Sequence, residues 1–563
     1  MFGDGKAGSS SLRKDIGLRY FCRIYIKKYV KMLGTFILYA VLTGLMLSLG
    51  WISWSTPAFM FVAFVPLWVA AYKIKRAGAR HGAWIMLMMS AVAFGVWNAV
   101  DTFWLKNATW AGFFIASGAN TAMMSIVMML SYFVMRRRGM TVGLVFWIAL
   151  WVSFEKMHTE WELSWPWLTL GNGFANYAGL VQWYEYTGVF GGSLWVLISN
   201  ALIFHAWRMY VEKKPKKLLY RFYGFAAAWV LAPMCISWTI SQKQTEPWAR
   251  VEAVALQPNI DPYGEKFSAT DVQMADTLAE MASSVMLPST RLVVAPETVL
   301  PEYKSINMWR LNPVVGVMRD FSAEHDGATV VAGGSFIKYI HDKDSVTSTA
   351  NKVRGADVWY DVYNSAVQVT PFSEDIYHKS RLVPGVEHFP YRWLLEGLLG
   401  DTMMDFGGMT GSNVTQADRA VFRSLGDTLA LAPIICYESV YGQYVTDYVK
   451  KGANVLCIIT NDGWWGNTEG HRQHLSFARL RAIETRLPVI RSANTGISAF
   501  IAPSGKITTS TVYGEKKALV GTLDIPRGEP TFYVRYGDFM ARPMPWLALG
   551  IFLFSVLPVR GKK

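Results

Sequence analysis

Apolar residues fall into two regimes along the chain. Up to about residue 242 they run continuously, at 34–54, 57–72, 83–100, 110–135, 142–157, 183–204 and 222–242, and an eighth run covers 543–559. A bilayer core takes about 20 mostly apolar residues as helix. The pattern therefore predicts about eight transmembrane helices, with the second, fifth and eighth short for the task. The first could be mistaken for a cleaved leader, but further spans follow it and no small-residue cleavage site precedes them.

Between 243 and 540 the pattern breaks into short β-rich runs alternating with amphipathic stretches. Strands are expected at 251–257, 291–296, 328–336, 363–370, 429–435, 454–460, 488–493, 497–502 and 517–525. Helices are expected at 268–286, 312–326, 439–451 and 468–486, the last with Leu475, Phe477, Ala478, Leu480, Ala482 and Ile483 on one face. Alternating strands and helices predict an α/β domain whose strands are buried on both faces. The segment 391–410 crowds Trp393, Leu394, Leu395, Leu398, Leu399, Met403, Met404 and Phe406 among glycines. It reads either as a core helix followed by a loop or as an apolar arm that meets lipid.

Composition supports the membrane reading. Of 563 residues only 17% are charged and 52% are hydrophobic, whereas soluble chains carry about 25% charged residues. Net charge is +14, and its placement is more telling than its size. Residues 1–33, loops 73–82, 136–141 and 205–221, and the tail 560–563 carry more positive charge than the whole chain, so the remainder is net acidic. All five segments fall on one side if the spans alternate, and the positive-inside rule makes that side cytoplasmic. The expected organisation is a cytoplasmic N-terminus with seven transmembrane helices over 1–242, an exported domain over 243–540, and a final helix with a cytoplasmic tail over 541–563. Export in a Gram-negative cell means the periplasmic face of the inner membrane. Short basic loops without an RNA- or DNA-binding motif argue against nucleic acid. Cys22, Cys235, Cys436 and Cys457 are too few and too scattered for a disulfide framework or a cysteine-ligated zinc.

Three polar residues follow apolar strands directly or nearly so. Glu297 ends RLVVAPE, Cys436 ends LALAPIIC, and Lys379 lies in YHKSRLVP after strand 363–370 and a turn at Pro371. Open α/β sheets build sites at the carboxyl ends of strands. A thiolate nucleophile, a carboxylate that takes its proton and an ammonium that stabilises an oxyanion form a coherent set. By spacing alone the signal is weak, and a buried structural cysteine beside an ordinary Glu–Lys ion pair explains the residues better.

The surrounding words are more specific. VVAPETVLP (293–301), YHKSRLVPGVEHFP (377–390), ICYES (435–439) and NDGWWGNTEGHRQHLSFARLRAIETRLPVIRSANTGISAF (461–500) resemble the nitrilase superfamily. That resemblance implies an αββα sandwich with a Glu-Lys-Cys triad. The flanking spans, SWPWLTLGNGF (164–174) and VRYGD (534–538) narrow it to the apolipoprotein N-acyltransferase family. The resemblance implies Glu297 as general base, Lys379 as oxyanion-stabilising cation and Cys436 as nucleophile. Glu387 would help to hold the lysine, and Tyr437 and Glu438 match the two residues after the nucleophile. Phe267 stands where the family commonly has Trp, which puts any role of an indole there in doubt. Trp393 is a further candidate for substrate contact.

The implied reaction is a two-step acyl transfer. Cys436 attacks the sn-1 ester of a membrane phospholipid, and the thioester then passes its acyl group to the N-terminal amine of a diacylglyceryl-cysteine apolipoprotein. The implied partners are the phospholipid donor, the diacylated apolipoprotein acceptor and membrane lipids, with no cofactor. Two alternatives stay open: a membrane-tethered nitrilase-like amidase that hydrolyses its thioester, and a non-enzymatic transporter or scaffold. Cys457 lies mid-strand and reads as core, although an oxidising compartment would allow a Cys436–Cys457 disulfide. His378, His388 or His474 could form a Cys-His dyad, which leaves Glu297 and Lys379 unexplained. His471 and His474 lack a third ligand for a metal. Asp101, Asn172 and Asn200 lie in or beside spans, where polar groups are often functional, though helix–helix hydrogen bonding explains the asparagines.

Overall fold

The computed structural model describes residues 33–242, 246–261, 269–391 and 412–558. Long apolar runs become helices: α1 (Leu33–Ser48), α2 (Val65–Arg76), α3 (Gly82–Thr102), α4 (Trp110–Arg138), α5 (Met140–Met157), α6 (Tyr184–Val211) and α7 (Lys216–Ser241). Among the described residues six segments, from Pro57–Arg76 to Lys216–Ser241, are long and apolar enough to cross a membrane. The two remaining expected spans appear as the shorter apolar helices α1 and Met544–Val556. Helix α1 stops at Ser48 rather than at residue 54, because Gly50, Ser53 and Ser55 fall in a turn and Thr56 caps the Pro57 helix by accepting from the Ala58 N–H.

Indoles fill the centre of this bundle. Trp68, Trp97, Trp147, Trp151 and Trp195 are fully buried, and Trp68 and Trp147 meet edge to face at 5.3 Å. Asn200 donates to the Met60 carbonyl at 2.7 Å and accepts from the Phe64 N–H at 2.8 Å. This joins α6 to the start of α2 and satisfies backbone groups that water cannot reach.

The later residues form two stacked sheets. The first has the order β14-β1-β2-β4-β6-β5, with β3 on β4 and β7 on β6, where β6 is Trp359–Val369 and β14 is Lys517–Ile525; the second runs β13-β12-β11-β10-β9-β8, where β12 is Ala499–Ile501. In the first sheet β1 (Ala249–Gln257), β2 (Thr290–Val294) and β4 (Thr329–Ile340) are parallel. In the second β9 (Ala430–Ile435), β10 (Val455–Thr460) and β11 (Val489–Ala493) are parallel. All six residues of VLCIIT in β10 are buried, as a strand covered on both faces requires. Helices α8 (Asp271–Ser283) and α9 (Pro313–Glu324) cover the first sheet. Helices α10 (Gly442–Lys450) and α11 (Glu469–Thr485) cover the second. Ser492 Oγ donates across the interior to the Leu256 carbonyl at 2.7 Å. The result is the expected αββα sandwich. It is followed by the short α12 (Phe532–Tyr536) and by α13 (Met544–Val556).

Every expected strand is present. Five more complete the sheets: β3 (Leu300–Ser305), β5 (Asn351–Lys352), β7 (Glu374–His378), β8 (Phe422–Arg423) and β13 (Ile507–Ser510). Strand β7 lies between the turn at Pro371 and Lys379. Lys379 therefore directly follows a β6–β7 hairpin, in which Ser365 pairs with His378. The helix expected from residue 439 begins at Gly442, since residues 436–440 form a 3-10 turn.

Candidate active site

The site lies where the carboxyl ends of the two sheets meet. Glu297 follows β2 in a turn whose next residue, Thr298, has φ +46°. Gly333 of β4 lies so close that a Cβ there would come within 2.6 Å of Glu297 Cα, so glycine is required for the turn to sit down. Lys379 follows β7, and its amide donates to the Asn364 carbonyl at 2.8 Å.

Lys379 Nζ lies 2.9 Å from Glu297 Oε1 and 2.8 Å from Glu387 Oε1. Asn364 in β6 (Trp359–Val369) donates to the same two oxygens at 2.8 and 3.0 Å. The Asn461 amide, just past β10, donates to Glu297 Oε2 at 3.0 Å. Glu387 is anchored in turn by the Val383 N–H at 2.8 Å. Burial works against the charge on Lys379, but Glu297 and Glu387 outweigh it and hold the amine well above its ordinary pKa.

Cys436 ends β9 with φ +50° and is 7% exposed. A left-handed non-glycine residue is strained and persists only where its surroundings over-determine it. Those surroundings can be named. The Glu438 carboxylate accepts from the Ile435 N–H at 2.8 Å, the Ser380 N–H at 2.6 Å, Tyr377 Oη at 2.7 Å and Tyr444 Oη at 2.5 Å. It thereby ties the turn after Cys436 to the turn after Lys379. From the other side, Ser439 Oγ donates to the Cys436 carbonyl at 2.7 Å, and His474 Nε2 lies 3.1 Å from that oxygen. His474 Nδ1 is 3.0 Å from Asp462 Oδ1, and Asp462 is further held by Arg491 at 2.6 Å and Thr460 at 2.9 Å.

The thiol is electrostatically coupled to the ion pair. Burial pushes the Cys436 pKa well above its ordinary value, Glu297 pushes it further, and Lys379 opposes both. Burial also raises Glu438. For Asp462 burial is outweighed by Arg491 and His474, which hold it below the usual carboxylate range.

The turn at Cys436 rests on the helical region. Tyr437 Oη donates to the Ser164 carbonyl at 2.9 Å, and the hydroxyls of Tyr441 and Ser164 are 2.6 Å apart. Beside them Trp167 Nε1 donates to Gln473 Oε1 at 2.7 Å, with Trp104 at 5.0 Å from its ring. The SWPW loop (164–167) is thus the seat of the α/β domain. The VRYGD stretch adds a clamp, in which Asp538 pairs with Lys156 at the end of α5 at 3.0 Å and accepts from Tyr533 Oη at 2.6 Å.

Of the residues singled out in the sequence, Glu297, Lys379, Glu387, Cys436, Tyr437 and Glu438 converge here. Phe267, Trp393 and almost all of 391–410 lie outside the described residues. His474 reaches the Cys436 carbonyl but forms its ring pair with Asp462. His378 hydrogen-bonds Ser365 at 2.7 Å, and burial lowers it to about 4. His471 meets the Gly466 carbonyl at 3.2 Å. Cys457 and Cys436 are both free thiols, so the disulfide considered above does not form. Asn172 donates to the Pro166 carbonyl at 3.0 Å and braces the SWPW loop. Asp101, buried at the end of α3, accepts from Trp104 Nε1 through its own carbonyl at 2.9 Å.

Sequence reasoning missed Asn364, Asp462 and Arg491. Each carried a signal: Asn364 is a polar residue that opens the buried second half of β6, and Arg491 is a charge in the middle of the apolar strand VIRSA. Asp462 sits inside a quoted motif word.

Residues 253–532 match the carbon-nitrogen hydrolase family and residues 43–202 match the apolipoprotein N-acyltransferase N-terminal domain. The chain is similar to an apolipoprotein N-acyltransferase of Chlorobaculum tepidum, 27% identical over 91% of this chain and 94% of the relative. It is also similar to one of Geobacter metallireducens, 26% identical over 90% and 92%. A third, apolipoprotein N-acyltransferase 2 of Treponema denticola, is 24% identical over 86% and 88%. With a helical N-terminal region and a carbon-nitrogen hydrolase sandwich joined in one chain, the protein belongs to the apolipoprotein N-acyltransferase family of the nitrilase superfamily.

Proposed function

We propose that this protein transfers a fatty acyl group from a membrane phospholipid, through a thioester on Cys436, to the N-terminal amine of diacylglyceryl-cysteine on apolipoproteins. The observation that carries the reading is the buried Glu297–Lys379 pair coupled to a left-handed Cys436, whose turn is hydrogen-bonded to the membrane-side loop 164–167. Glu297 takes the thiol proton as sulfur adds to the ester carbonyl. Lys379 has two of its three N–H groups on carboxylates and offers the third to the oxyanion. The ester C–O bond breaks, the alkoxide of the lysophospholipid takes the proton back from Glu297, and the product leaves. The acceptor amine then adds to the thioester carbonyl, Glu297 relays its proton to the departing sulfur, and the amide forms. A thioester is activated toward amines, so the second step runs downhill, and the two-step order predicts ping-pong kinetics.

Membrane placement follows the charges. Among the described residues the basic segments 73–82, 136–141 and 205–221 lie at the ends of α2, α4 and α6. The opposite ends of these helices face the α/β domain, as Ser53–Glu469, Asn107–Trp465 and Glu185–Arg486 contacts mark. The positive-inside rule then puts the basic loops in the cytoplasm and the sandwich, residues 243–540, in the periplasm of a bacterial inner membrane.

Intact mass spectrometry of the purified full chain tests the chemistry. Phospholipid should add one fatty-acyl mass, absent in Cys436→Ser, and a diacylated lipopeptide should remove it and gain the same mass. Loss of the adduct to water with no acylated lipopeptide would establish the hydrolase instead.

A further inference from the structure

The end of the helical region farthest from the α/β domain carries a second cleft, of about 680 Å³. It opens between the last turns of α2 and α6 and the first turn of α5, and is lined by Tyr72, Lys75, Arg76, Arg208, Glu212 and Lys213. Helix α6 starts beside the sandwich, where Glu185 pairs with Arg486 at 2.5 Å. Its 28 residues, at about 1.5 Å each, put the cleft about 40 Å away. The catalytic assignments use none of these residues.

Charge in the cleft is unbalanced. Four cations face one carboxylate, and Glu212 engages Arg208 only at 3.7 Å. Arg208 Nε is buried with no hydrogen-bond partner among the described residues. Among the described residues Arg76 reaches Tyr72 Oη, at 3.5 Å, and Lys75 donates one N–H to the Met135 carbonyl at 2.8 Å. The carbonyl ends of α2 and α6 also face this side, each worth about half a negative charge, and four cations outweigh them. A concave site with four cations and one carboxylate has the chemistry to take up phosphate oxygens.

Position decides which phosphate. The cleft sits at the ends of apolar helices, beside the exposed apolar surface of Tyr210, Val211 and Leu218. That is the depth of lipid headgroups in a bilayer spanned by these helices, and basic pockets between transmembrane helices bind anionic headgroups. We propose that this cleft holds the phosphate-bearing headgroup of an anionic membrane lipid, on the membrane face opposite the catalytic site. The inference rests on the bilayer placement proposed above and not on the acyl-transfer chemistry, so a failed transfer assay would leave it standing.

Native mass spectrometry of the full chain in detergent tests it, with phosphatidylglycerol, phosphatidylcholine and inorganic phosphate as separate probes. Phosphatidylglycerol should be retained at least tenfold more tightly than phosphatidylcholine. Arg76→Gln with Arg208→Gln should weaken it by about fivefold for each charge removed. Glu212→Gln should tighten it, a gain that misfolding cannot produce. Equal retention of the two lipids, or unchanged affinity in both variants, overturns the proposal. If inorganic phosphate competes as well as the lipid does, the site takes soluble anions and the lipid assignment fails.

Discussion

The carboxylate of Glu438 accepts the backbone N–H of Ser380 at 2.6 Å, so the residue two positions after Cys436 is bonded to the residue after Lys379. Cys436 and Lys379 come from different sheets, and this bond sets their spacing. Glu438→Gln turns an acceptor of four donors into a group that must itself donate. Unpairing a buried donor costs about 1–3 kcal/mol, and a misplaced catalytic group commonly costs about 100-fold in rate. The expected result is a lower Tm with thioester formation slowed by about that factor; an unchanged rate of adduct formation would remove the positioning role.

His474 should act through the Cys436 carbonyl and not through the sulfur. His474→Ala frees the strained turn, so kcat should fall by about 100-fold with little change in KM for phospholipid. His474→Gln, whose amide nitrogen can reach the place of Nε2, should recover part of the rate. A dyad in which the imidazole takes the thiol proton would leave the glutamine variant as dead as the alanine one.

The pH dependence of Cys436 alkylation has a definite sign. Burial and Glu297 raise the thiol pKa and Lys379 lowers it. With wild-type protein, the rate with a small neutral iodoacetamide should still be climbing above pH 9. Glu297→Gln should move that profile to lower pH while abolishing acyl transfer, so that reactivity and turnover part company. Lys379→Met should move it to higher pH. Parallel loss of alkylation and transfer in Glu297→Gln would contradict this electrostatic account.

The Lys156–Asp538 pair should hold the α/β domain to the helical region. Both side chains are largely buried, and Lys156 keeps Glu160 at 2.8 Å when Asp538 is neutralised. Asp538→Asn should therefore cost about 1–3 kcal/mol, less than breaking an isolated buried pair. A thermal-unfolding cycle with Lys156→Met should show that the two changes are not additive; additivity would mean that the pair contributes no coupling.

Much of the architecture was legible before any coordinate. Apolar runs long enough for a bilayer, the switch to short buried strands after residue 242 and the words around Glu297, Lys379 and Cys436 all depend on local composition. Burial on both faces writes itself directly into a stretch such as VLCIIT. The strands that escaped notice are those whose burial is partial: EDIYH in β7 and LPEYKS in β3 carry charges or proline, so their pattern reads as loop. They are strands because β6 and β4 offer edges to pair with.

By itself the sequence determined the two-part build, the placement of basic charge in short loops between apolar runs, and which polar residues stand at the ends of apolar strands, since these rest on residue type and near-neighbour spacing. Tertiary structure alone decided what holds those residues in place. Asn364 joins Glu297 to Glu387 across 67 and 23 positions of chain, Tyr437 finds Ser164 across 273, and His474 finds the Cys436 carbonyl across 38. Hydrogen bonds form over about 3 Å of space whatever the distance along the chain, and only the register of the strands and the seating of the sandwich on the helices bring such partners within reach.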